Sequence, residues 1–138
     1  MQSRPAHEIN AGSFVYFEVA GRRTLCLKVE REGKDHTNHF LVPLDPLDDR
    51  RTLALHYIDP EVDLVPVDGV TLDVAEGAAK VAPEVGDMFL NHVGAMLKVL
   101  DGYQSQRLYS YVDVTRGTVK PRMEHHIQHL LHWAVTRI

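Results

Sequence analysis

Gly12-Ser13-Phe14-Val15-Tyr16 and Gly86-Asp87-Met88-Phe89-Leu90 decide how this chain reads, because the same order of events follows each. The first block passes a turn at Gly21 into Leu25-Cys26-Leu27-Lys28-Val29. The second passes a turn at Gly94 into Ala95-Met96-Leu97-Lys98-Val99. Each then makes a polar turn containing glycine, Gly33 or Gly102, and enters an aromatic strand ending in aspartate, Phe40 to Asp45 or Tyr109 to Asp113. Self-similarity at a long period is the mark of a repeated structural unit. The offset shortens along the unit, from 74 residues between Gly12 and Gly86 to 70 between Lys28 and Lys98, as a longer first hairpin through Arg22-Arg23-Thr24 requires. The expectation is an all-β chain of two small modules related by duplication.

Working outward, Thr24 to Glu30 alternates apolar and polar residues with period two, as a half-buried strand requires. His39 to Leu44 and Thr52 to Ile58 read as further strands. Asp68-Gly69 reads as the turn of a hairpin between Asp63–Val67 and Val70–Val74. Short strands separated by turn signals indicate small barrels or a sandwich rather than alternating helices and strands. In this loose sense the pattern resembles the SH3-like barrel class, with short strands, a glycine-opened first strand and tight turns. The division that follows is a mobile leader over 1–8, a first β module over 9–75, a linker over 76–84 and a second module over 85–138.

The end of the chain reads differently. Pro121 suits a helix's first turn, and Met123, Ile127, Leu130, Leu131 and Ala134 fall on one face at 3.6 residues per turn. A C-terminal helix bracing the modules is therefore expected. It would place His125, His129 and His132 on a shared face, opposite the apolar stripe. Imidazoles so placed are candidate ligands for Zn or Ni, two well set and the third too far along a straight helix to close on the same ion.

A second candidate surface lies on the strand ending at Asp113. Tyr109, Tyr111 and Asp113 alternate onto one face, where two rings and a carboxylate could hold a ligand or a peptide. No nucleophile elbow, P-loop, dinucleotide-binding fingerprint or HExxH pair is present. The 138 residues carry a formal charge of −4, with no Lys/Arg cluster of the kind phosphate binding needs, which argues against nucleic acid. The single cysteine, Cys26, lies between leucines and reads as a small buried hydrophobe. No apolar run reaches the roughly 18 residues of a membrane span. The reading is a cytoplasmic, non-catalytic module that binds a protein or peptide partner. Half-size modules bury little surface alone, so a homodimer is also expected. The alternatives are a small metal-binding protein or metal-dependent enzyme using the helix histidines, and a small-molecule sensor with a pocket between the modules.

Overall fold

A computed structural model describes residues 2–19, 21–44, 50–101, 109–120 and 128–137. The chain is mainly β. Its strands are β1 (Arg4–Pro5), β2 (Phe14–Val19), β3 (Arg22–Glu32), β4 (Thr37–Pro43), β5 (His56–Ile58), β6 (Asp63–Pro66), β7 (Val70–Val81), β8 (Met88–Asn91), β9 (Gly94–Leu100), β10 (Tyr109–Asp113), β11 (Thr118–Lys120) and β12 (Gln128–Arg137). Among the described residues there is no α-helix, and none is long and apolar enough to cross a membrane.

Two antiparallel meanders organise the sheet, β2–β3–β4 and β8–β9–β10. Their turns are closed by the same contacts. Gly12 N donates to Lys28 O (2.8 Å) and Lys28 N to Ser13 O (2.9 Å); Gly86 N donates to Lys98 O (2.9 Å) and Lys98 N to Asp87 O (3.0 Å). Lys28 Nζ reaches back to Ile9 O at 2.7 Å, and Lys98 Nζ reaches Pro83 O at 3.0 Å. Gly12 and Gly86 both adopt positive φ, 89° and 91°, a backbone that residues with a Cβ rarely hold.

The two halves belong to one sheet. β1 and β6 flank β2 on one side, and β7 and β12 flank β8 on the other. Thr118 of β11 lies parallel to Glu30 of β3, and Ala54 forms a parallel bridge with Leu100 of β9. Beyond the two meanders, the halves are thus joined at β3–β11 and at the isolated bridge that Ala54, just before β5, makes with Leu100. Arg31 ties the halves further: its guanidinium sits 4.9 Å from the Phe40 ring centroid and donates to Asp101 at 3.0 Å. Asp101 also accepts from Ser110 Oγ at 2.8 Å.

Both faces of β3 and β4 are covered. Leu27, Val29, Phe40 and Val42 enter a large core with Leu97, Val99, Val112 and Trp133. Cys26 and Leu41 face a smaller one with Ala6, Ile9, Val15, Ile58 and Leu64. The continuous buried run from Leu25 to Val29 follows from this two-sided packing.

Several sequence expectations give way here. The sheet does not close into two separate SH3-like barrels, since strands of one half pair with strands of the other. The expected C-terminal helix is a strand over Gln128–Arg137; its first turn, 121–127, lies outside the described residues. Leu131, Trp133 and Val135 are spaced by two and point into the core, while β7 and β8 take up the strand's two edges. This tertiary pairing outweighs the helical stripe, as packing routinely overrides propensity. Gly69 takes φ 77° at a bend, but the expected hairpin does not form, since β6 and β7 do not pair with each other. β6 joins β1 and β2, and β7 joins β12 at the far end. Arg4–Pro5, expected in a mobile leader, pairs with Asp63–Leu64, and Ala6 is fully buried. The expected linker begins inside β7, which runs to Val81.

The two lysines should differ in worth. Lys28 is fully buried and also donates to the Glu30 carboxylate, whereas Lys98 is partly exposed. Lys28→Met strips a partly buried carboxylate and a carbonyl of their donor, for a loss of about 3 kcal/mol; Lys98→Met should lose about 1 kcal/mol. Denaturant midpoints measured at unchanged m-value check this ordering, and equal losses would contradict it.

Candidate functional site

The face of β3 that carries Arg22, Thr24, Cys26 and Lys28 lies beside Val15 and Phe17 of β2 and Leu41 and Pro43 of β4. The registers Phe17–Thr24, Val15–Cys26, Cys26–Pro43 and Lys28–Leu41 bring these side chains into adjacent rows. β5 extends the surface, with His56 opposite Leu41. The turn after β5 folds over it, bringing Asp59 and Val62. The result is a half-open groove of about 580 Å³ with walls from Phe17, Leu41, Pro43, Ile58 and Val62 and a floor that includes Cys26. Arg22, His56 and Asp59 stand at its polar margin. Asp59 also accepts from the Glu61 backbone N–H at 2.9 Å. Ligand sites are typically concave, mostly apolar and furnished with a few polar groups, in this size range.

The corresponding face of the second meander is built differently. The registers Phe89–Met96, Met96–Asp113 and Lys98–Tyr111 match Val15–Cys26, Cys26–Pro43 and Lys28–Leu41. Phe89, Met96 and Tyr111 thus stand where the first meander has Val15, Cys26 and Leu41. Phe89 and Tyr111 meet edge to face, with centroids 5.7 Å apart. The second face is filled by its own larger side chains, whereas the smaller ones of the first are covered by Ala6, Ile9 and Leu64, with the groove opening beside them at Phe17, Pro43 and Val62.

Next to the groove, along the same row of β3, lies a polar cluster. Lys28 Nζ donates to Glu30, and His39 Nδ1 stands 3.8 Å from the same carboxylate oxygen. That nitrogen is buried without a hydrogen-bond partner. Burial lowers the His39 pKa below its ordinary value, the Lys28 charge lowers it further, Glu30 opposes this, and His7 adds a smaller lowering.

The residues singled out from the sequence are divided among several settings. Tyr109, Tyr111 and Asp113 do share a face of β10. Tyr109 is 45% exposed with Lys98 Nζ 4.6 Å from its ring centroid. Tyr111 packs on Phe89, and burial raises its pKa. Asp113, 1% exposed, accepts from Thr115 N (3.0 Å), Arg116 N (3.1 Å) and the Arg116 guanidinium (2.9 Å), capping the turn into β11. His125 lies outside the described residues. His129 and His132 sit on β12, where a separation of three puts side chains on opposite faces. The shared helical face on which the Zn or Ni reading rested does not form. Among the described residues no three His, Cys, Asp or Glu side chains converge as a metal site needs. The groove was not legible from the sequence, because its walls come from β2 to β5 and the turn beyond; Cys26, read as a buried hydrophobe, was its one visible member.

A pH dependence follows from His39. Its folded pKa lies below the unfolded value of about 6.5. The unfolded chain therefore binds this proton more readily, and the full contribution to stability is present above about 6.5. Stability falls as the pH drops from there towards the folded value. Urea midpoints should decline over this mildly acidic window more steeply in the wild type than in His39→Gln, and the His39 ring signals should titrate below the ordinary histidine range.

No protein-family model matches this chain, and neither a curated protein nor a solved structure is measurably similar to it.

Proposed function

We propose that this chain is a non-catalytic binding module, built by duplication of a three-stranded unit, in which the groove of the first half receives the ligand. The duplication is supported by the matched registers of the two meanders, by the repeated Gly–Lys backbone contacts and by the paired lysine reaches to Ile9 and Pro83. The observation that carries the binding role is the groove of about 580 Å³ that opens beside the buried Cys26 and Leu41, with walls from Phe17, Pro43, Ile58 and Val62; the matched face of the second half holds the Phe89–Tyr111 contact instead. A structural scaffold gains nothing from an apolar concavity left open to water.

The neighbouring Lys28–Glu30–His39 cluster supports a structural role over catalysis. Lys28 Nζ is sealed from solvent and holds the Ile9 carbonyl, and Lys98 does the same for Pro83 where Leu100 and Tyr109 replace the acid and the imidazole. The common element is the lysine's grip on the preceding segment. Cys26, the one cysteine of the chain, is buried and forms no disulfide within it, which fits a reducing, cytoplasmic setting.

A second reading, a protein partner or second copy at the end of the sheet, is favoured by β7. It is the last strand of the sheet order, twelve residues long and, among the described residues, paired only with β12, with Val74 exposed upon it. Such an edge is a template for a further strand. Light scattering at rising concentration should give twice the monomer mass under this reading and the monomer mass without it.

The groove reading is tested with indole, a neutral aromatic probe. Titration should shift the backbone amides of Phe17, Thr24, Leu41 and Ile58 saturably in the wild type. In Leu41→Tyr, which introduces the residue found at the matched position of the second half, the shifts should vanish while the rest of the spectrum is retained. Unsaturable shifts scattered over the surface, or equal binding by Leu41→Tyr, would end the groove's claim.

A further inference from the structure

The groove's margin is chemically uneven, and that unevenness specifies its ligand. Arg22 and His56 are exposed at the rim, and neither is engaged by another described group. Arg4 on β1 is likewise unengaged by any described group, whereas other arginines of the first half are held. Arg23 is bound to Glu18 at 3.0 Å, Arg31 to Asp101 at 3.0 Å, and Arg50 to the Trp133 carbonyl at 2.7 Å. Arg22 lies on the same face of β3 as Thr24 and Cys26 and lines the groove with them. His56 approaches from β5, across Leu41. The one acid at the margin, Asp59, is already held by the Glu61 N–H of its own turn.

Resting on the groove reading above, we propose that the groove binds a small apolar carboxylate, its body against Phe17, Leu41, Ile58 and Val62 and its carboxylate held by Arg22 with His56 beside it. A planar guanidinium is the side chain best matched to a carboxylate, through two parallel N–H donors. An apolar body excludes water from that pair on one side and strengthens it. A volume of about 580 Å³ accommodates a body the size of a fused bicyclic ring with a short acidic arm. The chain's overall charge of −4 gives no general attraction for anions, so recognition falls to this local pair.

The experiment compares naphthaleneacetate with its uncharged amide by calorimetry and by amide shift mapping at neutral pH. The carboxylate should bind saturably in the groove, about tenfold more tightly than the amide. Arg22→Gln, an exposed substitution that breaks no described contact, should reduce carboxylate affinity about tenfold and leave the amide's unchanged, erasing the preference. Equal binding of both compounds, or a preference that survives Arg22→Gln, would overturn the carboxylate assignment while leaving the groove as a neutral apolar site. Failure of both compounds together with indole would remove the groove reading itself. Leu41→Tyr separates the two cases, since it should abolish every probe's binding and not merely the preference for charge.

Discussion

Close backbone crossings hold this architecture together. A Cβ on Gly117 would stand 2.0 Å from Gly12 N, and one on Gly86 would stand 2.3 Å from Arg50 O. In both places the obstacle is main chain, so no rotamer change could relieve it. Each crossing brings the entry turn of one meander against the segment that leaves the other. That closeness allows Glu30 N to reach Gly117 O at 2.8 Å, and Leu100 N to reach Leu53 O at 2.8 Å. These are the parallel junctions through which the two halves become one sheet. Any larger residue at Gly86 or Gly117 would part the halves before it disturbed either meander, since the meanders are held by their own antiparallel ladders.

The crossings also explain where buried polar groups are tolerated. Lys28 would be costly alone in a sealed site, but its ammonium meets a carbonyl and a carboxylate, so it binds Ile9 and the preceding segment to the sheet. Trp133 does comparable work at the Gly86 crossing. Its indole N–H donates to Gly86 O at 3.0 Å, Arg50 stacks 4.0 Å from its ring centroid, and the same arginine donates to its carbonyl at 2.7 Å. β12 is thereby tied to both halves at once. A helix over the same residues would break that three-way contact and leave the edges of β7 and β8 uncovered.

The legible and illegible parts of the chain separate along this line. The meanders could be read because their signals are local: Gly12 and Gly86 need positive φ, Gly21 and Gly94 make turns, and the Leu-Lys-Val strings sit on buried strands. β12 could not, because Leu130, Leu131 and Ala134 satisfy a helical period while Leu131, Trp133 and Val135 satisfy a period of two. Only the partners β7 and β8 decide between them. Asp68-Gly69 announced a bend but not which strands it would deliver to which neighbours, as β6 and β7 go to opposite ends of the sheet. Tyr109, Tyr111 and Asp113 were placed on one face correctly, while their surroundings depend on Phe89, Lys98 and Arg116.

The difference in side-chain bulk between the two matched faces bears on stability. Filling an apolar concavity with larger side chains gains both transfer free energy and dispersion contacts, provided the shapes fit. The second half demonstrates that the same backbone register accepts Phe, Met and Tyr together, with Phe89 fully buried and Tyr111 packed against it. The smaller set in the first half is therefore not imposed by the geometry of the unit. On the first face that room is taken by Ala6, Ile9 and Leu64, which pack with Val15, Cys26 and Leu41, while Phe17 and Val62 border the groove. The two matched faces thus solve one packing problem in two ways: the second fills itself with larger side chains, and the first takes its cover from the segment that precedes its meander.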